Sequence, residues 1–247
     1  MAKDHELKLA QMKEFIQQLG SSVEKYGDPT LERFLIATSM DPNKAANMFV
    51  SWQKWRTSFV PLGFIPDSEV VQQLEPRKIF LQGLCNSGHP LMILNASKHY
   101  PAKDQHQFKK FVVHVLDKGI ASAIRGNEIG NEKIVVIIDL QQVSYKNVDA
   151  HGLISAFQFL QAYYPERLAK LYMLNMPRFF VSVWKMISYF LEKATLHKIM
   201  IVTSEEERKH FVTEVGKEVL PEVFGGEAKF VALQDVEAPR LESRLTF

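Results

Sequence analysis

Tyr163-Tyr164-Pro165-Glu166-Arg167, an apolar run from Leu168 to Leu174, then Asn175-Met176-Pro177 and Phe179-Phe180-Val181-Ser182-Val183-Trp184: how this stretch reads decides the fold. Pro165 ends the helix before it, because its ring removes a backbone donor and clashes with the preceding turn. Seven residues, mostly apolar and bounded on both sides by turn formers, have the length and setting of a buried strand. Pro177 stands where a new helix can start. That helix, from Phe179 to Leu191, carries only one charge, Lys185. A helix that is apolar on every side is either buried or in contact with lipid.

Working outward, Ile134-Val135-Val136-Ile137-Ile138 is a continuous β-branched run. It is expected to form a strand covered on both faces of a parallel sheet. Leu153 to Tyr163 reads as the helix between the two strands, and Lys198 to Val202 as the next strand. Ser204 caps a further helix from Glu205 to about Val215. Strands alternating with helices are α/β wiring, with right-handed crossovers. Upstream, Ile79–Leu81 and Leu91–Leu94 flank the turn-rich segment Cys85 to Pro90 and predict a hairpin or sheet edge. A helix follows over Phe108–Ile124, then a break at Gly126–Gly130.

The first third reads as helical. Met12, Phe15, Ile16, Leu19 and Val23 fall on one face, and Asp28-Pro29 and Asp41-Pro42 each place a cap before a first-turn proline. Trp52 and Trp55 share a helix face, where core packing is the plain reading. The expected organisation is a helical subdomain over residues 1–66, an α/β domain over 67–232 and a tail over 233–247.

Charged residues make up 23% of the 247, and the formal net charge is +2. That argues against a strongly basic nucleic-acid binder. Cys85 is the only cysteine, so no disulfide can form within the chain, which fits a reducing compartment. The first residues are charged with no apolar stretch behind them, Ala2 is not a myristoylation site, and no cysteine stands near the C-terminus. The apolar runs fall short of the roughly 20 residues that span a bilayer. A cytoplasmic protein is expected.

Signs of catalysis are sparse. The chain has no Gly-x-Ser-x-Gly elbow, Walker loop or Gly-x-Gly-x-x-Gly turn. His89, His99, His106 and His114 have spacings that fit no compact zinc motif. Asp139, at a strand end, is the best lone catalytic candidate. Neither an enzyme nor a cofactor or metal is expected.

Taken in order and spacing, these pieces, closed by Leu220-Pro221-Glu222-Val223-Phe224-Gly225-Gly226, resemble the CRAL-TRIO lipid-binding family. The similarity is to the branch that exchanges phosphatidylinositol and phosphatidylcholine, and it runs from about Thr30 to Gly226. It implies a mostly parallel sheet flanked by helices, a small helical N-terminal subdomain, and a mobile gate helix over a lipid cavity. Phe179, Phe180, Val183, Trp184, Ile187, Phe190 and Leu191 would then meet acyl chains or the membrane. It also implies a head-group site. Glu166 in Pro-Glu-Arg, with Thr195 and Lys198, takes the positions at the inositol phosphate, and Ser144 takes that of a phosphate-contacting hydroxyl.

Two departures stand out. After Arg33-Phe34-Leu35, the family's Arg-Lys pair is replaced by Thr38-Ser39, and its Gly-Arg-Pro becomes Gly88-His89-Pro90. The implied protein is a monomer that holds one phospholipid, touches membranes transiently, and transfers or presents its lipid. The alternatives are a lipid sensor or adaptor, a carrier of a tocopherol or terpenoid, and a hydrolase or transferase using Asp139 and His151.

Overall fold

The computed structural model describes residues 2–123 and 132–237. The helix end at Ile124, the break at Gly126–Gly130 and the terminal Arg240–Phe247 lie outside the described residues. Three helices come first: α1 (Ala2–Gln18), α2 (Asp28–Ala37) and α3 (Pro42–Phe59). Asp41 caps α3 as its sequence predicts, accepting from the Asn43 and Lys44 amides. Asp28 does not cap α2. Gly27 is the cap, and Asp28 is already helical, pairing with Lys13 of α1 at 2.6 Å. A carboxylate in the first turn is still favoured there by the helix dipole. Met12, Ile16, Leu31, Phe34 and Phe49 share one core with Trp52 at its edge. Trp55 reaches out of it and stacks on Tyr163 with ring centroids 4.2 Å apart.

The remainder follows as α4 (Val71–Leu74), β1 (Ile79–Leu84), β2 (Pro90–Asn95), α5 (Gln105–Ala123), β3 (Ile134–Asp139) and α6 (Ala150–Tyr163). Then come β4 (Leu168–Leu174), α7 (Phe180–Ser188), α8 (Lys193–Leu196), β5 (Ile199–Ile201) and α9 (Glu205–Val215). The sheet runs in the order β1-β2-β3-β4-β5. β1 pairs antiparallel to β2 as the expected hairpin, and the other neighbours are parallel. The outer edge of β1 is covered by the chain's later part: the Leu81 amide donates to the Val231 carbonyl at 3.0 Å, and Phe80 bridges Ala232. Covering an edge blocks pairing with a second chain.

Sequential parallel strands joined by crossovers of one hand bring their helices to one face. α5, α6 and α7 lie on the face that carries Ile134, Val136 and Ile138. On the other face, Phe211 and Val215 of α9, with Leu220 and Phe224, bury Val135, Ile137, Tyr172 and Leu174. The Phe224-Gly225-Gly226 signature serves this second face. A Cβ at Gly226 would sit 1.9 Å from the Leu220 carbonyl oxygen, and Gly225 has φ +95°. Only glycine fits either position.

The two faces are not sealed alike. Val135 and Ile137 are buried, whereas Val136 and Ile138 on the same central strand keep accessible surface, as do Leu168, Ile199 and Ile201 around them. The expected cover is therefore present on both faces, complete over Val135 and Ile137 and partial over Val136 and Ile138. α7 has nine residues, and its Phe180 covers Leu171 and Met173 while the flanking strands remain part-open.

Candidate functional site

The segment Phe179–Leu191 is not one continuous helix. α7 spans Phe180–Ser188, after which the Phe190 and Leu191 amides bond to the Ile187 and Ser188 carbonyls in turns of 3.0 and 3.2 Å. Phe180 (5% exposed), Ile187 and Leu191 point inward; Phe179, Val183 and Trp184 are half-buried beside them. On the outside, Val181, Met186, Phe190 and Tyr189 (87% exposed) face solvent. Tyr145, also exposed, lies against Phe179 at 4.4 Å between centroids. A surface helix ordinarily turns a charged face to water. This one turns its apolar side to the sheet and exposes Val181 and Met186 beside Ser182 and Lys185, so the expectation of a helix apolar on every side is not met. A contiguous exposed apolar patch marks a contact surface.

The charged part of the site lies at the amino ends of the strands and is fixed by Pro165-Glu166-Arg167. The buried Arg33 of α2 donates from Nη1 to the Pro165 carbonyl at 3.0 Å. Arg167, also buried, donates to both the Glu132 carbonyl and carboxylate at 2.7 Å. Between these two anchors Glu166 takes φ +56°, a strained setting for a non-glycine residue. Its Oε2 accepts from Lys198 Nζ at 2.8 Å and lies 3.5 Å from Lys133 Nζ. Burial opposes its ionisation, but the Lys198 hydrogen bond and charge, with Lys133 behind them, hold the carboxyl below its ordinary range. Thr195 closes the turn into β5, its carbonyl accepting from the Lys198 amide at 3.0 Å.

Glu166, Thr195 and Lys198 are thus gathered at one end of the sheet. Ser144 is not with them. It follows the carboxyl end of β3, a strand about 20 Å long, and both its amide and its hydroxyl donate to Asn147 Oδ1 at 2.9 Å. Asp139 braces that same end, accepting from the Gln141 amide at 3.0 Å and from Asn175 Nδ2 at 2.8 Å. Thr38 and Ser39 form the end of α2: the Thr38 hydroxyl donates to the Phe34 carbonyl at 2.8 Å, and Ser39 has φ +55°. Lys133 was not legible as a site residue, because only the pairing of Ile134 with Leu168 sets it beside Glu166.

Elsewhere, an enclosed cavity of about 20 Å³ lies between the N-terminal helices and the sheet domain, lined in part by Thr30, Arg33, Arg56, Asp117 and Tyr164. It has room for one water-sized body and none for an acyl chain. Among the described residues, no helix is long and apolar enough to cross a membrane, and no group of three His, Cys, Asp or Glu side chains could hold a metal ion.

Several known proteins are similar to this chain. A CRAL-TRIO domain-containing protein of Saccharomyces cerevisiae is 27% identical over 249 residues, covering 92% of this chain and 79% of its own length. The SEC14 cytosolic factor of Yarrowia lipolytica is 28% identical over 246 residues, 92% of this chain and 49% of that protein. A phosphatidylinositol/phosphatidylcholine transfer protein of Arabidopsis thaliana, SFH9, is 27% identical over 217 residues, 81% of this chain and 37% of its own. The crystal structure of Sfh5 superposes with a TM-score of 0.72 over 99% of this chain and 94% of that one, at 16% identity, a likeness of fold. Residues 74–226 match the family described as the CRAL/TRIO domain, and the chain belongs to that family.

Proposed function

We propose that the protein binds one phospholipid, phosphatidylinositol or phosphatidylcholine, between α7 and the sheet, and transfers it between membranes or presents it to a partner. The observation that carries this reading is the part-open apolar surface of Val136, Ile138, Leu168, Ile199 and Ile201 beneath a helix that also exposes Val181 and Met186 to solvent. Acyl chains are the natural cover for it. Each methylene removed from water contributes about 0.8 kcal/mol, so two chains are held firmly against escape into water. The same chains are equally well solvated in a bilayer, so exchange is close to balanced and needs no chemical fuel. The relatives named for phosphatidylinositol/phosphatidylcholine transfer and for a cytosolic factor support the same role.

In this reading the outward residues Val181, Met186, Tyr189 and Phe190 touch the membrane during exchange, and α7 moves with the lipid. Glu166, Thr195 and Lys198 form the head-group end. The protein acts in the cytoplasm as a monomer, performs no chemical step, and uses the N-terminal helices to brace Pro165 through Arg33.

The head-group assignment is tested with Lys198→Ala, loaded from vesicles containing both lipids and read by mass spectrometry. Phosphatidylinositol loading is expected to fall roughly fivefold, the scale of one partly screened charge contact. Phosphatidylcholine, whose choline offsets its own phosphate, is expected to change little. Equal loss of both lipids, or of neither, would remove Lys198 from the head-group site.

A further inference from the structure

Each parallel strand of the sheet starts from a basic residue. His89 directly precedes β2, Lys133 precedes β3, Arg167 precedes β4 and Lys198 precedes β5. Carboxylates answer only part of this row. Glu132 pairs with Arg167 at 2.7 Å, both side chains buried. Glu166 faces two lysines with one carboxylate, its Oε2 2.8 Å from Lys198 and 3.5 Å from Lys133. The Glu166–Lys198 pair is neutral by itself and exerts little net pull on an anion. Adding Lys133 changes the sum: two ammonium groups against one carboxylate leave one positive charge. The Lys133 and Lys198 side chains are 27% and 25% exposed, shielded from full solvent screening yet open to a ligand. The depressed pKa of Glu166 keeps it ionised at neutral pH, so the charge count holds there.

We infer that Lys133 is a second phosphate-binding cation of this site, and that with Lys198 it selects a lipid whose head group carries a single net negative charge. A phosphodiester bearing an uncharged polyol meets that description; a zwitterionic choline lipid does not. The inference rests on the reading of Glu166 and Lys198 as the head-group end. It also supplies a source for the positive charge missing at Thr38-Ser39. Lys133 comes from β3, not from the N-terminal helices, so it reaches the site through strand register.

The test compares Lys133→Ala, Lys133→Arg and Lys198→Ala in the full chain, each offered vesicles of equal phosphatidylinositol and phosphatidylcholine. Bound lipids are read by native mass spectrometry, with melting temperature measured alongside. In Lys133→Ala the ratio of phosphatidylinositol to phosphatidylcholine is expected to fall roughly two- to fivefold, as one partly screened charge contact allows. Total loading and melting temperature stay close to wild type, and Lys133→Arg restores the ratio. An unchanged ratio in Lys133→Ala beside a shifted one in Lys198→Ala would overturn the inference and leave the head-group reading standing. An unchanged ratio in both would remove both. Equal loss of the two lipids with a lowered melting temperature would make Lys133 a structural residue and overturn the inference as well.

Discussion

On the face of the sheet that carries Val135 and Ile137, α9 and the Leu220–Gly226 segment bury both of these side chains of β3; on the other face, Val136 and Ile138 stay part-open under α6 and α7. The residues are of one kind, alternating along a single β-branched strand. Polarity therefore does not separate the faces. The cover does. The first face is closed by Phe211, Val215 and Phe224, large side chains held by α9 and by a glycine-dependent turn. The second is covered by a nine-residue helix whose outer side mixes Val181 and Met186 with Ser182 and Lys185. A core gains stability from every accessible apolar surface it removes, at about 25 cal/mol per Å². A central strand left short of that gain is consistent with a site whose last layer is a ligand.

The sharpest way to break this comparison is to truncate one residue on each face. Ile137→Ala, on the sealed face, is expected to lower unfolding stability by about 2–4 kcal/mol, because a well-packed core leaves a cavity behind. Ile138→Ala, its neighbour on the part-open face, is expected to cost about 1–2 kcal/mol in lipid-free protein, less than Ile137→Ala because no closed cavity is left. Denaturant melts of both variants check this. Equal losses would mean that both faces are solid core.

A finer comparison concerns the two sides of the Phe179–Leu191 segment. Trp184→Asp places a charge at the half-buried inner edge and is expected to reduce lipid loading. Tyr189→Asp changes a side chain that is almost fully exposed. It is expected to leave loading and circular dichroism unchanged while slowing vesicle-to-vesicle transfer roughly three- to tenfold, the scale of one lost aromatic contact. If Tyr189→Asp transfers lipid at the wild-type rate, the outer side of the Phe179–Leu191 segment is not a membrane contact at Tyr189.

Much of the fold was legible because its signals are local. The run Leu168–Leu174 is the strand read from the sequence, residue for residue. Ser204 caps α9 in a reciprocal pair with Glu207, and Asp41 caps α3. Asp28 failed as a cap by one residue, a shift that no spacing rule resolves. The end of α7 at Ser188 was hidden by apolar residues that continue through Leu191 without a break. Several long-range features were not legible. Periodicity tells which side chains share a strand face, but not whether a helix of sufficient size covers them, so the openness beside Val136 was invisible. Lys133 joins Glu166 only through the register of β3 on β4, and Arg33 reaches Pro165 across 132 positions of sequence. Of the residues proposed for the head group, Glu166, Thr195 and Lys198 lie at one end of the sheet, whereas Ser144 stands at the opposite end.

The central claim is that the part-open face is completed by a phospholipid, and native mass spectrometry of the full chain purified from cells tests it most directly. The account predicts one phospholipid per protein, and a melting temperature that falls when the lipid is stripped and recovers on reloading, as linkage requires. Protein that emerges lipid-free, takes up none from vesicles and melts at the same temperature throughout would contradict it.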